Sequence, residues 1–162
     1  MNEKPESVAN ILDREREHVI KEWLRRVSLV PVLTSVPISD KDRVSHLPKL
    51  FHDVACRLRL PEGARLPISE AASNHGRRRR AQGYSAAMLV EESRLLEVVT
   101  FQTLHRHRGE LDLDQLLLDV MVIADEADLQ LMQAVRCCCE IQTAPSWLPP
   151  WLFRPLSDDE IV

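Results

Sequence analysis

The sequence predicts an all-α fold, a bundle of four or five main helices ending in one long helix. Three observations carry this. Apolar residues recur at spacings of three and four along most of the 162-residue chain. No stretch shows the alternation of a half-buried strand. Only four Gly stand among ten Pro, too few for a turn-rich β architecture. The chain is 44% hydrophobic with three Trp, three Phe and one Tyr, so aliphatic side chains must fill the core.

The elements follow in order. Val8, Leu12, Val19, Trp23 and Val27 share one helical face behind an N-cap at Ser7. Glu15 and Arg16 interrupt that stripe, which suggests a helix at the edge of the core. Pro31 and Pro37 punctuate a short connection. Ser39 or Asp40 caps a second helix bearing Val44, Leu47, Phe51, Val54 and Leu58, with a kink or a break expected at Pro48. Residues 61–68 read as a loop. Ser69 caps a short polar helix that runs to Gly83, and Ser85 caps the next, from about Ala86 to about Arg106. This one is apolar on most of its circumference and should be central.

The last helix begins near Asp112 or Asp114. Leu113, Leu117, Val120, Ala124, Ala127, Leu131, Ala134 and Cys138 alternate in steps of four and three, the period of left-handed helix packing. Ala124 and Ala127 are the small residues expected to admit a close neighbour. The domain is bounded as residues 1–144, followed by a Trp/Pro-rich tail over 145–162. Trp147, Trp151 and Phe153 of that tail are expected to dock on a helix face.

Composition excludes several functions. The start is polar and acidic, and no run reaches the ~20 apolar residues of a membrane span, so a cytoplasmic protein is expected. A formal net charge of −4 argues against nucleic acid as a partner. Cys56 and the run Cys137, Cys138 and Cys139 match neither a zinc site nor a disulfide framework; Cys138 continues the apolar period and reads as core. The acidic residues of the two long helices lack the Glu-x-x-His pairs of a di-iron bundle. No metal site, cofactor or catalytic residue is expected, and the chain reads as a non-enzyme.

Residues 74–84, NHGRRRRAQGY, are the most distinctive stretch. Four consecutive arginines on a helix point about 100° apart, so at least one must face a carboxylate, a carbonyl or an interface. His75 and Arg79 share a face, and a buried Glu is the expected partner of an arginine of the run. An exposed His75 with Arg78 and Arg79 near it would suit phosphotransfer, and a His75 that binds haem would suit a globin-like sensor; both are alternatives to a regulatory role.

HGRRRRAQGYSAAMLVEESRLLEVVTFQTL, residues 75–104, resembles the N-terminal sensor domain of the RsbT co-antagonist (RsbRD-type) family. The matching features are His75, Gly76, Arg79, Gln82, Gly83, Tyr84, Leu89, Val90, Glu92, Arg94 and Leu96. Arg78 departs from the pattern, standing where an apolar residue is usual. Residues 112–133 are similar to the final helix of members fused to histidine kinases. The resemblance implies a bacterial cytoplasmic input module of helical-bundle type, and the chain is expected to be a regulatory domain that acts through protein contact and is dimeric through the central or the final helix. His75, Arg79 and Glu92 would link two helices, Gly83 would permit a tight turn, and Tyr84 would pack over it. With no output domain in the sequence, the output is expected to be a separate signalling protein: a kinase, an anti-sigma-type factor or a transcription regulator.

Overall fold

The computed structural model describes residues 5–61 and 63–139. The tail and its aromatic residues lie outside the described residues. Among the described residues seven helices follow one another: α1 (Val8–Val27), α2 (Pro31–Thr34), α3 (Asp40–Val44), α4 (Leu47–Leu58), α5 (Glu70–Ala81), α6 (Ala86–Arg106) and α7 (Leu113–Cys139). Among the described residues there is no strand, only an isolated bridge between Glu6 and Leu111. None of these helices is long and apolar enough to cross a membrane.

Serine starts four of the helices. The hydroxyls of Ser7, Ser39, Ser69 and Ser85 accept the backbone N–H groups of Asn10, Asp42, Ala72 and Met88, satisfying donors that the first turn leaves open. Pro48 sits in the first turn of α4, where its missing N–H costs nothing, so the expected interruption is a clean break after α3. Pro31 acts likewise: the connection expected there is a single helical turn, α2. Gly83 ends the α5 segment with φ +92°, a left-handed conformation that other residues adopt only with strain.

The core has two lobes. Val19, Trp23 and Val27 of α1 join Leu33, Leu47, Phe51, Leu89 and Val99 in one; Val8, Ile11 and Leu12 join Val54, Leu104, Leu111 and Ile123 in the other. The division falls at the turn of α1 that carries Glu15 and Arg16. The polar interruption therefore separates two apolar lobes and does not place α1 at the edge of the core: Trp23 is among the largest fully buried side chains.

The seam of α7 differs from its heptad pattern. Leu113 and Leu117 are exposed, and Ala124, Ala127 and Leu131 are only partly buried. The buried line is Ile123, Glu126, Gln130, Ala134 and Cys137, with Cys138 beside it. The cause lies in α5. A Cβ placed on Gly76 would stand 2.1 Å from the carbonyl oxygen of Ala134, so the two backbones touch there. This crossing draws the C-terminal half of α7 onto α5 and turns a neighbouring face inward. Gln130 enters the interior with its amide donating to the Leu50 carbonyl (3.3 Å) and to Glu126 (3.1 Å). Cys137 is buried together with Cys138, while Cys139 is exposed, and all are free thiols.

Gly76→Ala should therefore destabilise the protein by at least ~2 kcal/mol in urea unfolding, since backbone cannot yield as a side chain can. Gly109→Ala, at a site with nothing within 4 Å of the added carbon, should stay within about 0.5 kcal/mol of the parent. Equal, small effects would show that the α5–α7 approach is looser than described.

Candidate functional site: a buried carboxylate network

The site is built on α6. Its capped start fixes the register that turns Glu92 toward the interior, where the residue is only 3% exposed. An isolated carboxylate there would lose its hydration without return, so opposite charge and donors must surround it.

Arg79 of α5 supplies the first. Its side chain is 0% exposed, and Nε donates to Glu92 Oε2 at 3.1 Å. Its other nitrogens donate to Gln82 Oε1 (2.9 Å) and to the Arg43 carbonyl oxygen (2.8 Å). The tight turn at Gly83 then folds Tyr84 back, with its N–H on the Arg79 carbonyl at 2.9 Å and its ring 5.0 Å from the guanidinium carbon. The Tyr84 hydroxyl donates to Glu92 Oε1 at 2.6 Å and accepts from Arg43. Burial and the Glu92 carboxylate raise the Tyr84 pKa, so the phenol keeps its proton. Arg43 of α3 lies 3.5 Å from Glu92 Oε1 and also reaches the carbonyls of Leu33 and Val36, holding the end of α2. Trp23 of α1 donates its indole N–H to the Glu92 carbonyl at 3.0 Å. One residue thus ties α1, α3, α5 and the turn before α6.

His75 completes the group from one turn before Arg79. Its Nε2 lies 3.6 Å from Glu92 Oε2, and its ring stacks on His46 with centroids 3.6 Å apart. His46 in turn meets Trp23 edge-on. Burial, reinforced by Arg79 and Arg78, lowers the His75 pKa to about 3. Burial, then His75 and the same arginines, lowers that of His46 well below the ordinary value. Both rings are neutral at pH 7. With Nε2–H directed at the carboxylate, His75 Nδ1 is an acceptor, and it has no hydrogen-bond partner among the described residues.

The motif residues divide by role. His75, Arg79, Gln82, Tyr84 and Glu92 meet in the network, Gly76 makes the helix crossing, and Gly83 makes the turn. Arg94 does not join them: it is exposed and pairs with Glu91 on the outer face of α6. Arg78 is also exposed and donates to Ser45. The phosphotransfer alternative requires an accessible imidazole, and His75 is 8% exposed, so it does not meet that requirement. Arg43, His46 and Trp23 are members that the motif does not mark. Among the described residues no group of three or more metal-ligating side chains converges. Comparison with family models, with curated proteins and with solved structures found no match.

Two outcomes follow from this geometry. Glu92→Ala leaves two buried guanidinium groups uncompensated and should cost about 3–5 kcal/mol, against about 1.5–3 kcal/mol for Tyr84→Phe, which removes the hydroxyl's bonds to Glu92 and Arg43 but leaves those charges facing each other. Urea titrations of both variants check the order, and a larger loss in Tyr84→Phe would contradict the central place of the carboxylate.

The second outcome concerns pH. Below about pH 6.5 the unfolded chain protonates both histidines, while the fold keeps them neutral. The native state then binds fewer protons, so stability is whole above that pH and falls as the pH drops toward 3. The slope between pH 6 and pH 5 should approach two protons, at roughly 1.4 kcal/mol per pH unit each. Replacing His75 by Asn should remove about one. Stability unchanged between pH 7 and pH 5 would contradict the burial of neutral imidazoles.

Proposed function

We propose that this chain is a non-enzymatic bacterial regulatory domain of the RsbT co-antagonist N-terminal type, acting in the cytoplasm through protein–protein contact and forming a homodimer. The observation that carries the reading is the outer face of α7. Leu113, Leu117, Leu118 and Met121 stand 64%, 67%, 54% and 61% exposed along its first turns. Two of them belong to the heptad series, whose period suits helix-on-helix packing, yet the chain's own helices leave them uncovered. A contiguous apolar strip of this kind is costly in water and marks a contact surface.

The network supports the same reading from the inside. Its charged groups face one another and hold four elements in one arrangement. A regulatory domain needs such a join, because a change in helix packing there alters the surface that another protein reads. That other protein is a kinase, an anti-sigma-type factor or a transcription regulator carried on a separate chain.

Light scattering on a size-exclusion column tests the contact surface. The chain should elute at twice its 18.6 kDa mass at micromolar concentration. Leu117→Glu with Met121→Glu should yield a monomer whose thermal melt keeps its two-state form. A parent protein that is monomeric throughout, or a double variant that stays dimeric, would refute the proposal that this strip carries association.

A further inference from the structure

Beside the carboxylate network the bundle holds a cavity, partly open to the surface, between α1, α4, α5, α6 and α7. Its volume is about 70 Å³, where a single ordered water takes roughly 10–15 Å³. The space therefore exceeds one water severalfold. Its walls are mostly apolar, with Leu50, Phe51, Leu89, Leu96, Leu131 and Ala134 prominent. Small-molecule sites have this character: an apolar lining with a few polar groups that fix orientation.

The polar groups on the wall share one property. Glu92 is already satisfied by Arg79 and Tyr84. His75 presents an unpartnered buried nitrogen, Nδ1, and because Nε2 faces the acceptor-only carboxylate of Glu92 the proton belongs on Nε2, which leaves Nδ1 as the acceptor. Glu97, also on the wall, has no cation or hydrogen-bond donor among the described residues; burial and nearby Asp128 raise its pKa. The wall thus holds acceptors in search of a donor. His46 and His75 also line a surface cleft with Ser45, Lys49, Asn74 and Arg78, so the stacked imidazoles stand between that cleft and the cavity.

We propose that this cavity binds a small, largely apolar molecule bearing one hydrogen-bond-donating hydroxyl or amine, with the donor set against the acceptors of the His75–Glu97 wall. The ligand would be the signal of the regulatory role proposed for the chain, and in that sense it rests on that role. Occupancy would bear on α6 and α7 together, since Leu96 and Glu97 of one helix face Ala127 and Leu131 of the other across the space.

Phenol and benzene, nearly equal in shape and differing by one donor, test the site on the whole chain. Methyl resonances of Leu89 and Leu131 should shift saturably with phenol. Phenol should bind about threefold to tenfold more tightly than benzene, the value of one net hydrogen bond. Ala127→Leu fills the space and should abolish the shifts while leaving the melting temperature at or above that of the parent. The Leu131→Phe variant, which fills it from a second position, should do the same. No saturable shift with phenol, equal affinity for both probes, or unaltered phenol binding in both filled variants would each overturn the proposal. Because binding is read on the chain alone, such a failure is distinct from a failure of the α7 contact surface, which the column experiment reads.

Discussion

The arrangement of the helices depends on one buried charge. Glu92 cannot be desolvated alone, so every element that packs near it must bring a donor or a cation of its own. Arg79 comes from α5, Arg43 from α3 and the Tyr84 hydroxyl from the turn between α5 and α6, while Trp23 anchors α1 to the same residue's carbonyl. Such a cluster is not a large source of net stability, since the desolvation of three charged groups offsets much of their attraction. Its effect is on uniqueness. A slip of α5 against α6 by one turn would leave a guanidinium and a carboxylate buried apart, whereas an apolar contact at that crossing would tolerate the slip.

The crossing of α5 and α7 has a steric cause instead. Gly76 lies one position after His75, so the segment that sends a side chain into the network also brings its backbone against Ala134. Charge positions one side of α5 and the missing Cβ positions the other. This coupling explains why α7 buries its heptad seam only at Ala134 and Cys138: the approach at Ala134 selects the line through Glu126 and Gln130, and the leucines at its start are left outside. The cavity lies where the two constraints meet, next to residues that neither can move freely to fill it.

Much of the fold was legible because local chemistry and global packing agree. Four serine caps, the break at Pro48 and the glycine after α5 each act within a few residues, and each stands where the sequence places it. The expectation that an arginine of the run would meet a buried Glu also has a local basis, since consecutive helical side chains cannot all reach solvent. What could not be read is long-range. Arg43 lies on a five-residue helix with no periodic signal, and its partners are 41 and 49 positions away. His46 owes its place to the same break. The α7 heptad was misleading as a guide to burial because the period records which residues are apolar, not which neighbour arrives; the neighbour was chosen by a glycine on another helix.

The central claim is that Arg79 and Glu92 act as one unit within the core. A double-mutant cycle with Arg79→Leu, Glu92→Leu and the pair, read by urea unfolding at pH 7, tests it most directly. Each single change leaves the partner's buried charge behind, while the pair removes both and leaves only Arg43 without its carboxylate, so the double variant should be less destabilised than the sum of the two. A coupling of about 2 kcal/mol or more is expected, within the range found for residues in one network. Additivity to within about 0.5 kcal/mol would mean that the two side chains do not depend on each other, and the account of this core would fail.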